Sequence, residues 1–170
     1  MQAQNINGYP GLLRTSLTIA PGRLLDHGQS YIYLHGFLEL FPEAHVSLRG
    51  DIYQMVTPQT AGVGLKQNTH LLYGAAIHHN KGISDLYAGL EPGISFTQTQ
   101  TLPINFLPTW SVFTGYHLSV WKYFNLFAEA RLLSTRYSRA PEGNIRLNEL
   151  LFSAGLGFQV PLKKLCCPQF

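Results

Sequence analysis

The sequence predicts an all-β chain: eight antiparallel strands closed into one up-and-down barrel that crosses a membrane. Three observations predict it. Apolar and polar residues alternate with a period of two in eight separate stretches. The links between those stretches are alternately long and short. Charged residues inside the stretches fall on one face only.

The composition bounds the class. The chain has 170 residues, enough for one domain and one core, and is read as a single barrel over 1–170 with an N-terminal segment at 1–10 and a tail at 162–170. Hydrophobic residues make up 45% and charged residues 12%, where a soluble globular protein carries about 25% charged residues. Mean hydropathy is +0.01, so the two kinds are finely mixed, and no run approaches the ~18 consecutive apolar residues of a membrane helix. A net charge of +3 without a basic run argues against nucleic acid as a partner. Cys166 and Cys167 are adjacent in the tail and read as inert thiols. The opening Met1-Gln2-Ala3-Gln4-Asn5 has no basic or apolar region of a signal peptide. A membrane barrel requires such a signal, so Gln2-Ala3-Gln4 reads as a mature start behind a new initiator Met, the signal removed.

The first strand, 11–20, carries Arg14 on its polar face, and a long link runs from Pro21 to Gly28. The second, 29–41, sets Ile32, Leu34, Leu38 and Leu40 against Tyr31, Tyr33, His35, Phe37 and Glu39. Pro42 and Glu43 make a short link. The third, 44–56, sets Val46, Leu48 and Ile52 against Ser47, Arg49, Asp51 and Tyr53. After a long link at 57–68 comes the fourth, 69–79, with His78 on its polar face, closed by the short Asn80-Lys81-Gly82. The fifth, 83–97, opposes Leu86, Ala88, Leu90 and Ile94 to Asp85, Tyr87 and Glu91. A long link at 98–108 leads to the sixth, 109–120, which bears His117, and a short one follows at 121–123. The seventh, 124–137, opposes Leu126, Ala128, Ala130 and Leu132 to Phe127, Glu129 and Arg131. A last long link at 138–146 precedes the eighth, 147–161, where Phe152, Ala154, Leu156, Phe158 and Val160 oppose Ser153, Gly155, Gly157 and Gln159.

Most of these strands meet or exceed the ~9–11 residues that cross a bilayer at a tilt. Short turns on one rim and longer loops on the other are the layout of bacterial outer-membrane barrels, with both chain ends on the short-turn, periplasmic side. Arg14, Glu39, Arg49, Asp51, Asp85, Glu91, Glu129 and Arg131 all take the polar face, as a lumen charge network would. An Arg or Lys on the lipid face near the midplane costs ~2–4 kcal/mol, which gives the exclusion a cause. The same alternation would also serve a soluble, lipocalin-like lipid carrier with its apolar face turned inward. Phe41, Trp121, Tyr123 and Phe124 at short turns, and Trp110 near a long link, read as interface aromatics.

With these residues in view, the chain resembles the small eight-stranded outer-membrane barrels of the OmpA/OmpX type over nearly its whole length. The run Ser153-Ala154-Gly155-Leu156-Gly157-Phe158-Gln159-Val160 is similar to that family's assembly signal, with Val160 where an aromatic is commoner, and Pro161 to Phe170 follow it. Tyr87-Ala88-Gly89-Leu90-Glu91-Pro92-Gly93 resembles barrel proteins of the Bacteroidota. The resemblance implies residence in the cell outer membrane, contact with membrane lipid and lipopolysaccharide, and a protein partner reached through the outer loops. It implies a porin-like wall around a plugged polar lumen, with no cofactor, no metal and no nucleic acid.

One enzymatic resemblance also arises. Lipid A deacylases are eight-stranded outer-membrane barrels with His-x-Ser late in the seventh strand and Glu early in the eighth. This chain has Arg136-Tyr137-Ser138 and Glu149. A serine nucleophile needs a base beside it, and an arginine stays protonated. The expectation is therefore a non-enzymatic protein, with Ser138 and Glu149 the residues of the enzymatic alternative. His117-Leu118-Ser119 keeps the spacing but lies at the periplasmic end of strand six. The seven histidines are scattered, and none shows a zinc spacing.

Overall fold

The computed structural model describes residues 9–56, 64–100, 103–140 and 143–162. Its strands are β1 (Leu12–Leu24), β2 (Ser30–Glu43), β3 (Val46–Met55), β4 (Leu65–Lys81), β5 (Ser84–Thr99), β6 (Asn105–Ser119), β7 (Phe124–Ala140) and β8 (Gly143–Pro161). Each pairs antiparallel with its sequence neighbours, and β8 returns to β1, so the sheet is a closed barrel. Closure removes the edges that an open sheet would leave unpaired.

The alternation in the sequence becomes the two sides of the wall. Along β2, Tyr31, Tyr33, His35, Phe37, Glu39 and Phe41 are buried, while Ile32, Leu34, Leu38 and Leu40 are exposed. The same holds on β3, where Arg49 is fully buried and Leu48 is 41% exposed. The outside is thus a belt of aliphatic side chains and the inside holds the charges. A soluble carrier requires the reverse, so the lipocalin-like arrangement is ruled out by the direction in which the side chains point.

Strand boundaries on the short-turn rim fall within about two residues of those expected, the scatter normal for element ends. Gly82, at φ 61°, opens the two-residue turn between Lys81 and Ser84. A glycine in that first turn position is what a type II′ hairpin asks for. On the opposite rim the strands run further than expected. β1 continues to Leu24 rather than 20, β4 begins at Leu65 rather than 69, and β6 begins at Asn105 rather than 109. β7 reaches Ala140 and β8 starts at Gly143. Much of what reads as long loop is therefore hairpin. Pro21 and Pro108 sit within β1 and β6 and are exposed on the outer face.

The lumen is filled rather than open. Glycines on its wall make room for rings: a Cβ on Gly89 would lie 2.3 Å from the Phe113 ring, and one on Gly115 would lie 2.4 Å from that of Tyr87. An eight-stranded barrel has space for little more than its own side chains.

Candidate functional site

Alternate residues of all eight strands point inward, so the lumen gathers polar groups from the whole chain. They form three levels. Nearest the short-turn rim, Arg14 Nη1 donates to Asp85 Oδ2 at 2.5 Å and lies 3.9 Å from Glu39. His78 stands between the two carboxylates, its Nδ1 3.0 Å from Asp85 and its Nε2 3.3 Å from Glu39. The Ser47 hydroxyl donates to Glu39 at 2.8 Å.

The middle level holds two arginines among three carboxylates, Asp51, Glu91 and Glu129. Arg49 donates from Nε to Asp51 Oδ2 at 2.8 Å, from Nη2 to Asp51 Oδ1 at 2.9 Å, and pairs with Glu129 at 2.7 Å. Arg131 donates to Glu91, lies 3.2 Å from Asp51, and pairs with Glu129 at 3.1 Å. The Tyr87 hydroxyl donates to Glu129 at 3.0 Å. Phe113 packs against both guanidiniums, its ring centre 4.9 Å from that of Arg49 and 4.4 Å from that of Arg131. Planar Arg heads suit this double role of ion pairing and stacking.

The third level lies toward the long-hairpin rim. Tyr33 Oη donates to Glu149 at 2.5 Å and Asn68 Nδ2 donates at 2.8 Å. His70 Nε2 is 3.3 Å from Glu149, and its Nδ1 is 2.6 Å from Ser95 Oγ. Beyond it, Leu24, Leu65, Leu133, Leu147 and Leu151 form a buried apolar cluster with Tyr31, Tyr33 and Tyr53.

All eight charges assigned to the lumen from sequence are buried here, drawn from β1, β2, β3, β5 and β7. Among the described residues the lumen buries three arginines against six carboxylates, Glu149 being the sixth, with four histidines beside them. The histidines and tyrosine hydroxyls, rather than further cations, meet the surplus carboxylates. Sequence reading left Glu149, His35 and His70 out of the network. The alternation did place His35 inward, but nothing in a single chain shows which inward groups meet.

Several arrangements have chemical potential on paper. His35, Asp51 and Glu129 offer ligand atoms within 4.8 Å of one another. Arg49 and Arg131 already pair with both carboxylates, so a dication would meet two fixed positive charges. Ser95, His70 and Glu149 follow the order of nucleophile, base and acid. All three are buried beneath the leucine cluster, and Ser95 shares its hydroxyl with Thr109. Of the residues of the deacylase-like alternative, Arg136 is exposed on the outside while Glu149 is buried in the lumen, so the two lie on opposite sides of the wall. The backbone of Ser138 belongs to β7, and its side chain lies outside the described residues.

On the outer surface Trp110, Trp121 and Tyr123 are exposed and Phe124 is half-buried. Phe41 is a correction. It is fully buried, points into the lumen, and lies 4.7 Å from the Arg14 guanidinium. Its odd number places it on the same face as Phe37 and Glu39, and parity overrides nearness to a turn. Phe106 and Tyr73 are exposed aromatics that sequence reading passed over. At the long-hairpin rim, Arg136 of β7 pairs directly with Arg146 of β8, and both are exposed. Like charges opposite each other on one sheet face repel.

An aliphatic belt outside, charges paired inside and a closed eight-stranded wall together define a small transmembrane β-barrel. By sequence, the chain matches no protein-family profile and no curated protein. By structure it has the fold of the small outer-membrane barrels. Neisserial surface protein A superposes with a TM-score of 0.61 at 12% identity, over 88% of this chain and 96% of that one. Ail, the attachment invasion locus protein of Yersinia pestis, does so at 0.59 and 12%, over 89% and 100%. Ail has also been solved in complex with the heparin analogue sucrose octasulfate. The outer membrane protein OprG of Pseudomonas aeruginosa gives 0.55 and 10%, over 94% and 99%.

Proposed function

We propose that this chain is an integral, non-enzymatic protein of a Gram-negative-type outer membrane, its extended hairpins outside and its short turns and termini in the periplasm. The observation that carries the reading is the inverted burial: aliphatic side chains exposed along every strand, with arginines and carboxylates ion-paired within. In lipid only a closed barrel or a helix satisfies its own backbone, and this wall is closed. The role assigned to the hairpins is contact with anionic lipopolysaccharide and with a protein partner at the surface. Arg136 and Arg146 support the first. Two guanidiniums side by side repel unless an anion such as a phosphate sits between them, and Arg binds phosphate bidentately. The sulfated ligand of the neighbour Ail is of the same polyanionic kind.

The test is folding and binding in lipid. The purified protein is expected to need detergent or vesicles to stay monodisperse and to migrate faster on gels when unheated. A folded, monodisperse protein in plain buffer overturns the membrane reading. Incubated with lipid A, it is expected to release no acyl chains. Release abolished by Ser138→Ala would make it an enzyme.

A further inference from the structure

The seam where β1 meets β8 breaks at its centre. Pairs run from Leu12↔Pro161 to Ser16↔Gly157 and resume in the same frame at Gly22↔Leu151. Between them, residues 17–21 and 152–156 form no ladder pairs. Odd-numbered residues of this strand turn their backbone toward β8, as the N–H of Leu25, just past its end, does in donating to the Asn148 carbonyl. Pro21 is one of them and has no N–H to give. A missing N–H alone breaks a ladder only briefly: at Pro92 the β4–β5 seam skips two pairs. Here five are lost, and side chains have stepped in. The Thr18 hydroxyl donates to the Ala154 carbonyl at 2.7 Å and the Ser16 hydroxyl to the Leu156 carbonyl at 3.1 Å. Thr18 and Gly155 belong to the lumen side of their strands, yet both are only half-buried.

A cleft of about 480 Å³ lies over the break, lined by Ile19, Pro21, Ala128, Ala130, Phe152 and Ala154 of the outer face, with the lumen-facing Glu129 and Ser153 also on its wall. That volume falls in the range of small-molecule sites, about 300–1,000 Å³. Its rim belongs to the outward apolar belt, so an occupant arrives from the hydrocarbon. Its floor is a strand pair whose ladder is interrupted over five residues, where the Ala154 and Leu156 carbonyls accept from side chains instead of from the neighbouring strand, and any backbone group that lipid tails leave without a partner is costly. We propose that this cleft binds a single-chain amphiphile from the bilayer, a fatty acid in its neutral form. The chain lies against Ala128, Ala130 and Phe152, and the acid head, which both donates and accepts, bridges the broken ladder. A phosphodiester head only accepts and carries charge, so a phospholipid does not fit. The inference rests on the barrel being embedded in a bilayer.

The experiment uses the folded protein in phosphatidylcholine vesicles with a diazirine-bearing fatty acid, followed by light and peptide mapping. Labelling is expected to concentrate severalfold on β1 and β8 around Ile19 and Ala154, compared with Leu86 and Leu90 of β5, and to fall with excess palmitic acid. Pro21→Ala, which supplies the missing N–H, and Ala154→Phe, which fills the cleft, are each expected to lower it to the level of β5. Even labelling around the barrel, labelling that palmitic acid leaves unchanged, or equal seam labelling by a phosphatidylcholine carrying the same diazirine overturns the proposal. Heat-modifiable migration is read on the same samples. Its loss in the unaltered protein counts against the membrane barrel itself, whereas its retention with even labelling counts against the site alone. Should a variant fail to fold, the palmitic acid competition on the unaltered protein still decides.

Discussion

Phe113 shows how the lumen keeps charge in a space that water scarcely shares. Its ring packs against the guanidiniums of both Arg49 and Arg131, which share Asp51 Oδ1 and otherwise reach carboxylate oxygens of their own. Arg131 is the more connected of the two, touching Asp51, Glu91, Glu129 and Ser111. Removing it leaves buried carboxylates without their cation. Arg131→Met is expected to cost about 3–5 kcal/mol, the usual result of breaking a buried pair from one side. Urea unfolding in vesicles, followed by tryptophan fluorescence, measures it. Adding Glu91→Gln is expected to restore part of the loss, and a double variant no better than the single one would show that Glu91 is not coupled to Arg131. On the other side of the wall the sign of the rule reverses. Leu48 is exposed beside the buried Arg49, and Leu48→Arg is expected to cost about 2–4 kcal/mol near the midplane. A neutral outcome in the same unfolding assay would mean that Leu48 does not face lipid.

At the scale of the strand, alternation is legible where lipid enforces it and silent where lipid ends. Within the apolar belt each outward position must be aliphatic, so β2, β3 and β5 read almost to the residue. Above the belt the outward face meets water and both faces turn polar: Lys66 is exposed and Asn68 buried, yet neither is apolar. On β4 the period itself slips, at the register shift between Leu65 and Gln67, and with no clean alternation to read the starts of β4, β6 and β8 were hidden. Pro21 and Pro108 added to this, because proline reads as a breaker unless its missing N–H is known to be tolerated. Glu149 lies inside the eighth strand expected at 147–161, but it was read only as a residue of the enzymatic alternative and not as a member of the charge network. The partners of the buried charges were not legible at all, since they depend on register across strands up to 116 residues apart, as in Tyr33 and Glu149. The β7–β8 hairpin also yields a prediction. Arg136→Glu turns the Arg136–Arg146 repulsion into an attraction. It is expected to stabilise the hairpin by up to about 1 kcal/mol and at the same time to weaken binding of lipopolysaccharide. Lipopolysaccharide binding unchanged by Arg136→Glu, in a titration with the folded protein, would remove these arginines from that role.

Across the whole molecule, the levels of the lumen are stacked obstacles. An ion entering from the short-turn rim meets Leu12 and Phe41, then the Arg14, Glu39, Asp85 and His78 cluster. Behind it stand the two arginines with Asp51, Glu91 and Glu129, packed against Phe37, Tyr87 and Phe113. Last comes the leucine cluster, whose side chains offer only the hydroxyls of Tyr31, Tyr33 and Tyr53 to replace a hydration shell. Opening a path therefore means breaking several buried ion pairs at once and wetting an apolar plug. In a low-dielectric space separated opposite charges attract strongly, so the closed arrangement is favoured by both terms. The protein is expected to show no steady conductance when inserted into planar bilayers. Two double variants remove the obstacles one at a time. Arg49→Ala with Arg131→Ala removes the middle level and leaves the plug, so conductance is expected to stay near zero. Leu65→Ser with Leu133→Ser wets the plug but leaves the ion pairs, and it too is expected to stay closed. Steady channels in the unaltered protein would show that the ion pairs exchange with water, and the lumen would then be a pathway rather than a core.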